Sequence, residues 1–138
     1  MPGGDAPLAP ARPELRILLI EDSVLIQARL TQILAEPGVM RVAGLAATER
    51  EATECIDGGE FDVLVVDVAL REGSGIGVIT HARAVCAGRQ PLIIVLTNYP
   101  LPAVRQRCIA AGADHFLDKI RQFQDVKPLI AAAKPAGD

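Results

Sequence analysis

Apolar runs and amphipathic stretches alternate along this chain. Residues 16–20 form the first strand-like segment, continuously aliphatic from Ile17 to Ile20. Residues 23–35 follow with helical spacing, and Ile26, Leu30, Ile33 and Leu34 recur as one apolar stripe. Ser23 suits the N-cap, and Pro37-Gly38 ends the helix. The pattern then repeats. A second strand is predicted over 39–46. A helix follows to about residue 56, opened by the capping-box text Thr48-Glu49-Arg50-Glu51 and stopped by Asp57-Gly58-Gly59. Val63-Leu64-Val65-Val66 is apolar at every position, which predicts a central strand covered on both faces. A plain Gly-rich loop, Gly73-Ser74-Gly75, precedes a helix over 77–86. A fourth strand over 92–96 leads to a helix over 102–111, with Pro102 in its first turn and Gly112 just past its end. A short strand over 115–117 and a last helix over 123–133 complete the series.

Five β-α units in succession predict an α/β fold: a parallel sheet with helices on both faces and right-handed crossovers. In such sheets ligands bind beyond the carboxyl ends of the strands. Those ends hold Glu21-Asp22, Asp67, Thr97 and Lys119, whereas the second strand runs into Ala46-Ala47.

Three carboxylates brought together repel one another, and a hard divalent cation relieves the repulsion through oxygen ligands. The set therefore points to a Mg²⁺ site open to a phosphate. Lys119 supplies a cation and Thr97 a hydrogen-bond donor for phosphoryl oxygens. Asp67 is the expected nucleophile, attacking phosphorus in line to give an aspartyl phosphate.

These residues carry a resemblance. The text Ile17-Leu18-Leu19-Ile20-Glu21-Asp22, then Val65-Val66-Asp67-Val68-Ala69-Leu70, then Leu96-Thr97, then Gly112-Ala113-Asp114-His115-Phe116-Leu117-Asp118-Lys119 resembles the receiver domain of two-component response regulators. Four motifs in order cover about residues 15–133. The resemblance implies a five-stranded sheet of order 2-1-3-4-5, the flavodoxin-like receiver fold. It implies Asp22, Asp67 and the Ala69 carbonyl as direct Mg²⁺ ligands, with Glu21 acting through water. It implies phosphorylation of Asp67, contact of Lys119 with the phosphoryl group, and Thr97 and Phe116 as a switch pair. The implied donor is a sensor histidine kinase or a histidine phosphotransfer protein.

Three positions depart from the family's habit. Ile120 follows Lys119 where proline is common, so either strain or a rearranged loop is expected there. Arg71 stands where the loop after the acceptor often has proline. Phe116 lacks the hydroxyl of the commoner tyrosine. Val24, Leu25 and Ala28 lie off the core stripe of the first helix, beside the acidic pair, and are the expected kinase-docking patch. Tyr99, two residues after Thr97, is expected to shield the phosphoryl group from water.

Composition narrows the rest. The 138 residues suit one domain, with tails over 1–14 and 134–138 around a domain at 15–133. Half the residues are hydrophobic, yet only Phe61, Tyr99, Phe116 and Phe123 are aromatic, so the core must be aliphatic. A net charge of −3 without a basic block argues against a direct nucleic-acid partner. Apolar runs this short argue against a membrane partner. Cys55, Cys86 and Cys108 have no metal-ligand spacing and read as reduced thiols of a cytoplasmic protein. The chain reads as a stand-alone signalling module. It is no enzyme beyond its own phosphorylation and dephosphorylation, and it speaks to an unknown downstream protein. The expected output surface is the fourth helix, fifth strand and fifth helix around Val104, Arg107, Phe116 and Gln124. The same face would serve a homodimer. An aspartate-nucleophile phosphatase would need a second acid at position 69, where Ala stands. A flavin binder would need a Ser/Thr-rich phosphate loop where Glu21-Asp22 stands. The remaining rival is a receiver-like interaction module that works without phosphorylation.

Overall fold

A computed structural model describes residues 14–133. The tails expected over 1–14 and 134–138 lie outside the described residues, Glu14 excepted. Glu14 is not loose. Its carboxylate accepts a hydrogen bond from the Gly38 backbone N–H at 2.8 Å and pairs with Arg41 at 3.5 Å.

Strand β1 (Leu15–Ile20) is followed by α1 (Val24–Ile33), β2 (Met40–Ala46), α2 (Glu49–Gly58) and β3 (Val63–Val66). Then come α3 (Gly75–Val85), β4 (Leu92–Thr97), α4 (Pro102–Ala111), β5 (His115–Asp118), a 3-10 turn (Phe123–Asp125) and α5 (Val126–Ala132). All strands pair in parallel, in the order β2-β1-β3-β4-β5. This is the 2-1-3-4-5 order of the flavodoxin-like receiver fold.

The continuous apolar strands are explained by two cores, one on each face. Successive side chains of a strand point to opposite faces. Leu18, Ile20, Leu64, Val66, Ile93 and Val95 pack with Ala52, Val78, Ile79, Ala82 and Cys108 from α2, α3 and α4. Ile17, Leu19, Val63, Val65, Ile94 and Leu96 pack with Leu30 and Leu34 of the first helical segment and Val126 and Ile130 of α5. Each such side chain stabilises the fold by about 1.5–3 kcal/mol through burial.

Several boundaries differ from expectation for local reasons. Ser74 caps α3 two residues earlier than predicted, its hydroxyl accepting from the Ile76 N–H at 3.1 Å. The last helix begins as a 3-10 turn and turns α-helical only at Val126. Ile33 does not belong to the core: it is 37% exposed, whereas Leu30 and Leu34 are buried. At about 100° per residue Ile33 sits a quarter-turn or so from Leu34, on the flank facing α5. The Thr48 cap forms as the capping box predicts, accepting from the Glu51 N–H at 3.1 Å. The reciprocal bond goes one residue further back, from the Ala47 N–H to Glu51 at 2.8 Å.

Candidate functional site

Sheet register assembles the site. Ile20 pairs with Val66, so the residues just after them, Glu21-Asp22 and Asp67, leave adjacent strands at one level. The Asp67 N–H donates to the Ile20 carbonyl at 2.9 Å, and the Glu21 N–H to the Ala46 carbonyl at 2.9 Å. On the other side Thr97 pairs with Asp118, and the Lys119 N–H donates to the Thr97 carbonyl at 2.8 Å. The sheet's topological switch point lies at the ends of β1 and β3, where the order reverses.

Glu21, Asp67 and Lys119 are buried, and Asp22 is half-buried. The Lys119 ammonium donates to Glu21 Oε1 at 2.8 Å and to Asp67 Oδ2 at 2.9 Å. Burial alone would lower the pKa of that ammonium. The two hydrogen-bonded carboxylates outweigh it and hold Lys119 above the ordinary lysine value. Burial pushes the Glu21 carboxyl upward, partly opposed by Lys119 and the Ser23 N–H, with the Asp67 charge adding to the rise. Gln27 fixes Glu21 from behind, donating from its side-chain amide to the Glu21 carbonyl at 2.5 Å.

One carboxylate oxygen from each of Glu21, Asp22 and Asp67 can be chosen so that all lie within 4.8 Å of one another. Opposite ligands across an octahedral Mg²⁺ are separated by about 4.2 Å, twice the usual Mg–O distance. The donor set therefore fits a small hard cation. Ala69 is exposed and its N–H donates to Asp67 Oδ1 at 3.2 Å. An isolated bridge between Ala69 and Ser74 closes the loop behind it. The acidic set opens into a cleft of about 1020 Å³ that also meets Ala69, Tyr99, Lys119 and Ile120.

Not every expected residue reaches this cleft. Thr97 is fully buried, its hydroxyl accepting from the Tyr99 N–H at 3.1 Å. Phe116 is half-buried against the core shared with Val104 and Cys108. Val24 and Leu25 are 77% and 70% exposed, and Val24 and Ala28 border a shallow groove with Leu45. Burial pushes up the thiols of Cys108 and Cys55 (Glu51 and Glu54 adding to the rise at Cys55), so neither is an activated nucleophile.

The Lys119–Ile120 corner resolves as a rearranged loop. No cis peptide occurs among the described residues. Asp118 Oδ1 accepts from the N–H groups of Ile120 and Arg121 at 2.9 and 3.3 Å. The Gln122 side chain accepts from the Asp118 N–H at 2.9 Å. An aspartate four residues before a glutamine is the signal in the sequence for this clasp.

The family model for the response regulator receiver domain matches residues 17–131, and the chain belongs to that family. Its relatives include a protein-glutamate methylesterase/protein-glutamine glutaminase of Azospirillum brasilense, 26% identical, aligned over 99% of this chain and 38% of the relative. A second enzyme of that name, from Methanospirillum hungatei, is 24% identical over 83% of this chain and 34% of its own length. The chain thus spans about a third of the curated relatives it matches first. Among solved structures, the receiver domain of a sensor histidine kinase from Pseudomonas aeruginosa is 27% identical. It superposes with a TM-score of 0.74 over 87% of this chain and 97% of that one, and it holds a magnesium ion in its active-site cleft. The signal receiver domain of a putative response regulator from Mycobacterium tuberculosis, 20% identical, shares the fold with a TM-score of 0.77 over 86% and 94% of the two chains. Among the described residues, no helix is long and apolar enough to cross a membrane.

Proposed function

We propose that this chain is a phosphorylatable receiver of a two-component phosphorelay, with Asp67 as the acceptor. The observation that carries this reading is Asp67 itself: a buried carboxylate between Lys119 and two further acids, open to a cleft. Asp22, Asp67 and the Ala69 carbonyl would hold Mg²⁺, with Glu21 acting through water. The bound ion would neutralise charge on the phosphoryl oxygens. An Asp67 oxygen attacks phosphorus, the bond from phosphorus to the donor breaks, and the leaving group departs with its electron pair. From a phosphohistidine the broken bond is P–N. No general base is needed, because the carboxylate attacks as the anion. Lys119 exchanges its bond to Asp67 for one to a phosphoryl oxygen, and Thr97 turns its hydroxyl toward another. Withdrawal of Thr97 leaves room under β4 for Phe116, which would convey the change to the face formed by α4, β5 and α5.

Incubating the protein with Mg²⁺ and acetyl phosphate tests the reading. The expected result is a mass gain of one phosphoryl group, blocked by EDTA. No gain with acetyl phosphate, and no adduct with beryllofluoride, would instead favour an interaction module that works unphosphorylated.

The donor is proposed to be a sensor histidine kinase or a histidine phosphotransfer protein, docking on Val24, Leu25 and Ala28. What supports this is that these side chains are exposed on the helix that directly follows Glu21-Asp22. Leu25→Arg should slow transfer from the cognate donor by about tenfold or more, at unchanged labelling by acetyl phosphate. Equal transfer rates in the two proteins would remove the patch from the account.

Tyr99 is 61% exposed and lines the cleft. Asp67 lines the same cleft, so the ring would screen a phosphoryl group there from water. Tyr99→Ala is expected to lose its phosphoryl group several-fold faster, measured as the decay of label after the donor is removed. An unaltered decay would show that the ring is not the barrier.

A further inference from the structure

The loop that follows Asp67 is fastened from outside by a residue the site chemistry does not use. Glu49, the first residue of α2, is half-buried. Its carboxylate accepts from the Ser74 N–H at 2.9 Å, and its own N–H donates to the Glu72 carbonyl at 3.0 Å. Ser74 in turn forms the bridge with Ala69, and the Ala69 N–H donates to Asp67. A short chain of backbone contacts therefore runs from Glu49 to the acceptor.

The glycines around this carboxylate point the same way. At Gly73, where φ is +83°, a Cβ would lie 2.4 Å from the Glu49 Cβ. At Gly77 a Cβ would lie 2.2 Å from Glu49 Oε2. The start of α3 is thus bare on two sides where the Glu49 side chain enters. A carboxylate there also meets the positive end of the helix dipole.

We propose that Glu49 is a positioning residue that sets the geometry of the Asp67–Ala69 metal-binding loop through Ser74. This rests on the phosphoacceptor reading above. Mg²⁺ demands near-ideal octahedral geometry, so a loop free to shift loses affinity even when every ligand is present. Groups behind metal ligands are typically worth about 10–100-fold in affinity or activity.

The test compares wild type, Glu49→Ala, Glu49→Gln, Gly77→Ala and the Glu49→Ala/Gly77→Ala double variant. Mg²⁺ affinity is read by calorimetry and labelling rate with acetyl phosphate, with folding checked by circular dichroism. Glu49→Ala should weaken Mg²⁺ binding and slow labelling by about tenfold. Glu49→Gln keeps an acceptor oxygen and should restore most of both. Gly77→Ala displaces the carboxylate and should resemble Glu49→Ala. In the double variant the three atoms nearest the added methyl, all of Glu49, are gone, so it should cost nothing further. A folded Glu49→Ala protein with wild-type Mg²⁺ affinity would overturn the proposal, as would strictly additive effects in the double variant. If Glu49→Ala does not fold, Glu49→Gln and Gly77→Ala decide: a folded Gly77→Ala protein with wild-type affinity overturns it. Failure of the wild-type protein to bind Mg²⁺ or take a phosphoryl group is a different result, and would bring down the phosphoacceptor reading first.

Discussion

Asp67→Asn is expected to end covalent phosphoryl uptake without unfolding the protein. The amide is not a nucleophile, so labelling by acetyl phosphate should fall by at least about a thousandfold. Shape is preserved, and the carbonyl oxygen of the new side chain can still accept from either Lys119 or the Ala69 N–H, both of which now bond to Asp67. The charge balance improves. Glu21, Asp22 and Asp67 face a single ammonium, and the Asp67 charge is one cause of the raised Glu21 pKa. Removing it relieves repulsion while Lys119 keeps its bond to Glu21 at 2.8 Å. The variant should therefore be at least as stable as wild type in EDTA, with a gain on the order of 1 kcal/mol. Mg²⁺ binding should weaken, because one anionic ligand becomes neutral. Intact-protein mass after acetyl phosphate treatment and thermal melts in EDTA read the two effects. Full labelling of Asp67→Asn would place the acceptor elsewhere and end the proposed mechanism.

Most of the fold was written in periodicity. An all-apolar run such as Val63–Val66 predicts a strand covered on two faces, and Pro102 and Gly112 bracket α4. The residues after the strands were equally legible, because the rule about strand ends needs only topology. Three things escaped. Ile33 escapes because helical spacing does not say how wide a stripe is, and α1 packs on the core through Ile26, Leu30 and the adjoining Leu34. The Gly73-Ser74-Gly75 stretch was read as a plain loop. Gly73 is explained by Glu49, twenty-five positions before Ser74, and Gly75 by the close Asp67 carbonyl; no local pattern records either contact. At the corner after Lys119 the sequence allows strain or rearrangement. The Asp118–Gln122 clasp accounts for this corner, since it holds the loop by side-chain bonds with every peptide there trans. The last two share a cause: side-chain to backbone bonds across a loop have no period.

Lys119→Met carries the largest expected effect on stability, and its sign depends on the metal. The side chains of Lys119, Glu21 and Asp67 are only 7%, 4% and 8% exposed. Methionine keeps the length and the apolar stem but deletes both hydrogen bonds and the charge. Two buried carboxylates are then left without a cation, which costs about 3–5 kcal/mol. The melt in EDTA should fall accordingly. Glu21, already raised by burial, would become protonated more readily and soften part of the loss. Mg²⁺ should rescue this variant more than it stabilises wild type. In wild type the ion joins a site where an ammonium already balances part of the charge. In the variant it replaces that ammonium, so its affinity should rise by about tenfold. Phosphoryl uptake should nonetheless fall, because one phosphoryl oxygen has lost its cation. Lys119 is thus expected to oppose the metal before phosphorylation and to assist it afterwards. Calorimetric titration with Mg²⁺, melts with and without the ion, and labelling by acetyl phosphate measure the three effects separately. Weaker Mg²⁺ binding in the folded variant would show that Lys119 organises the carboxylates rather than competing for them.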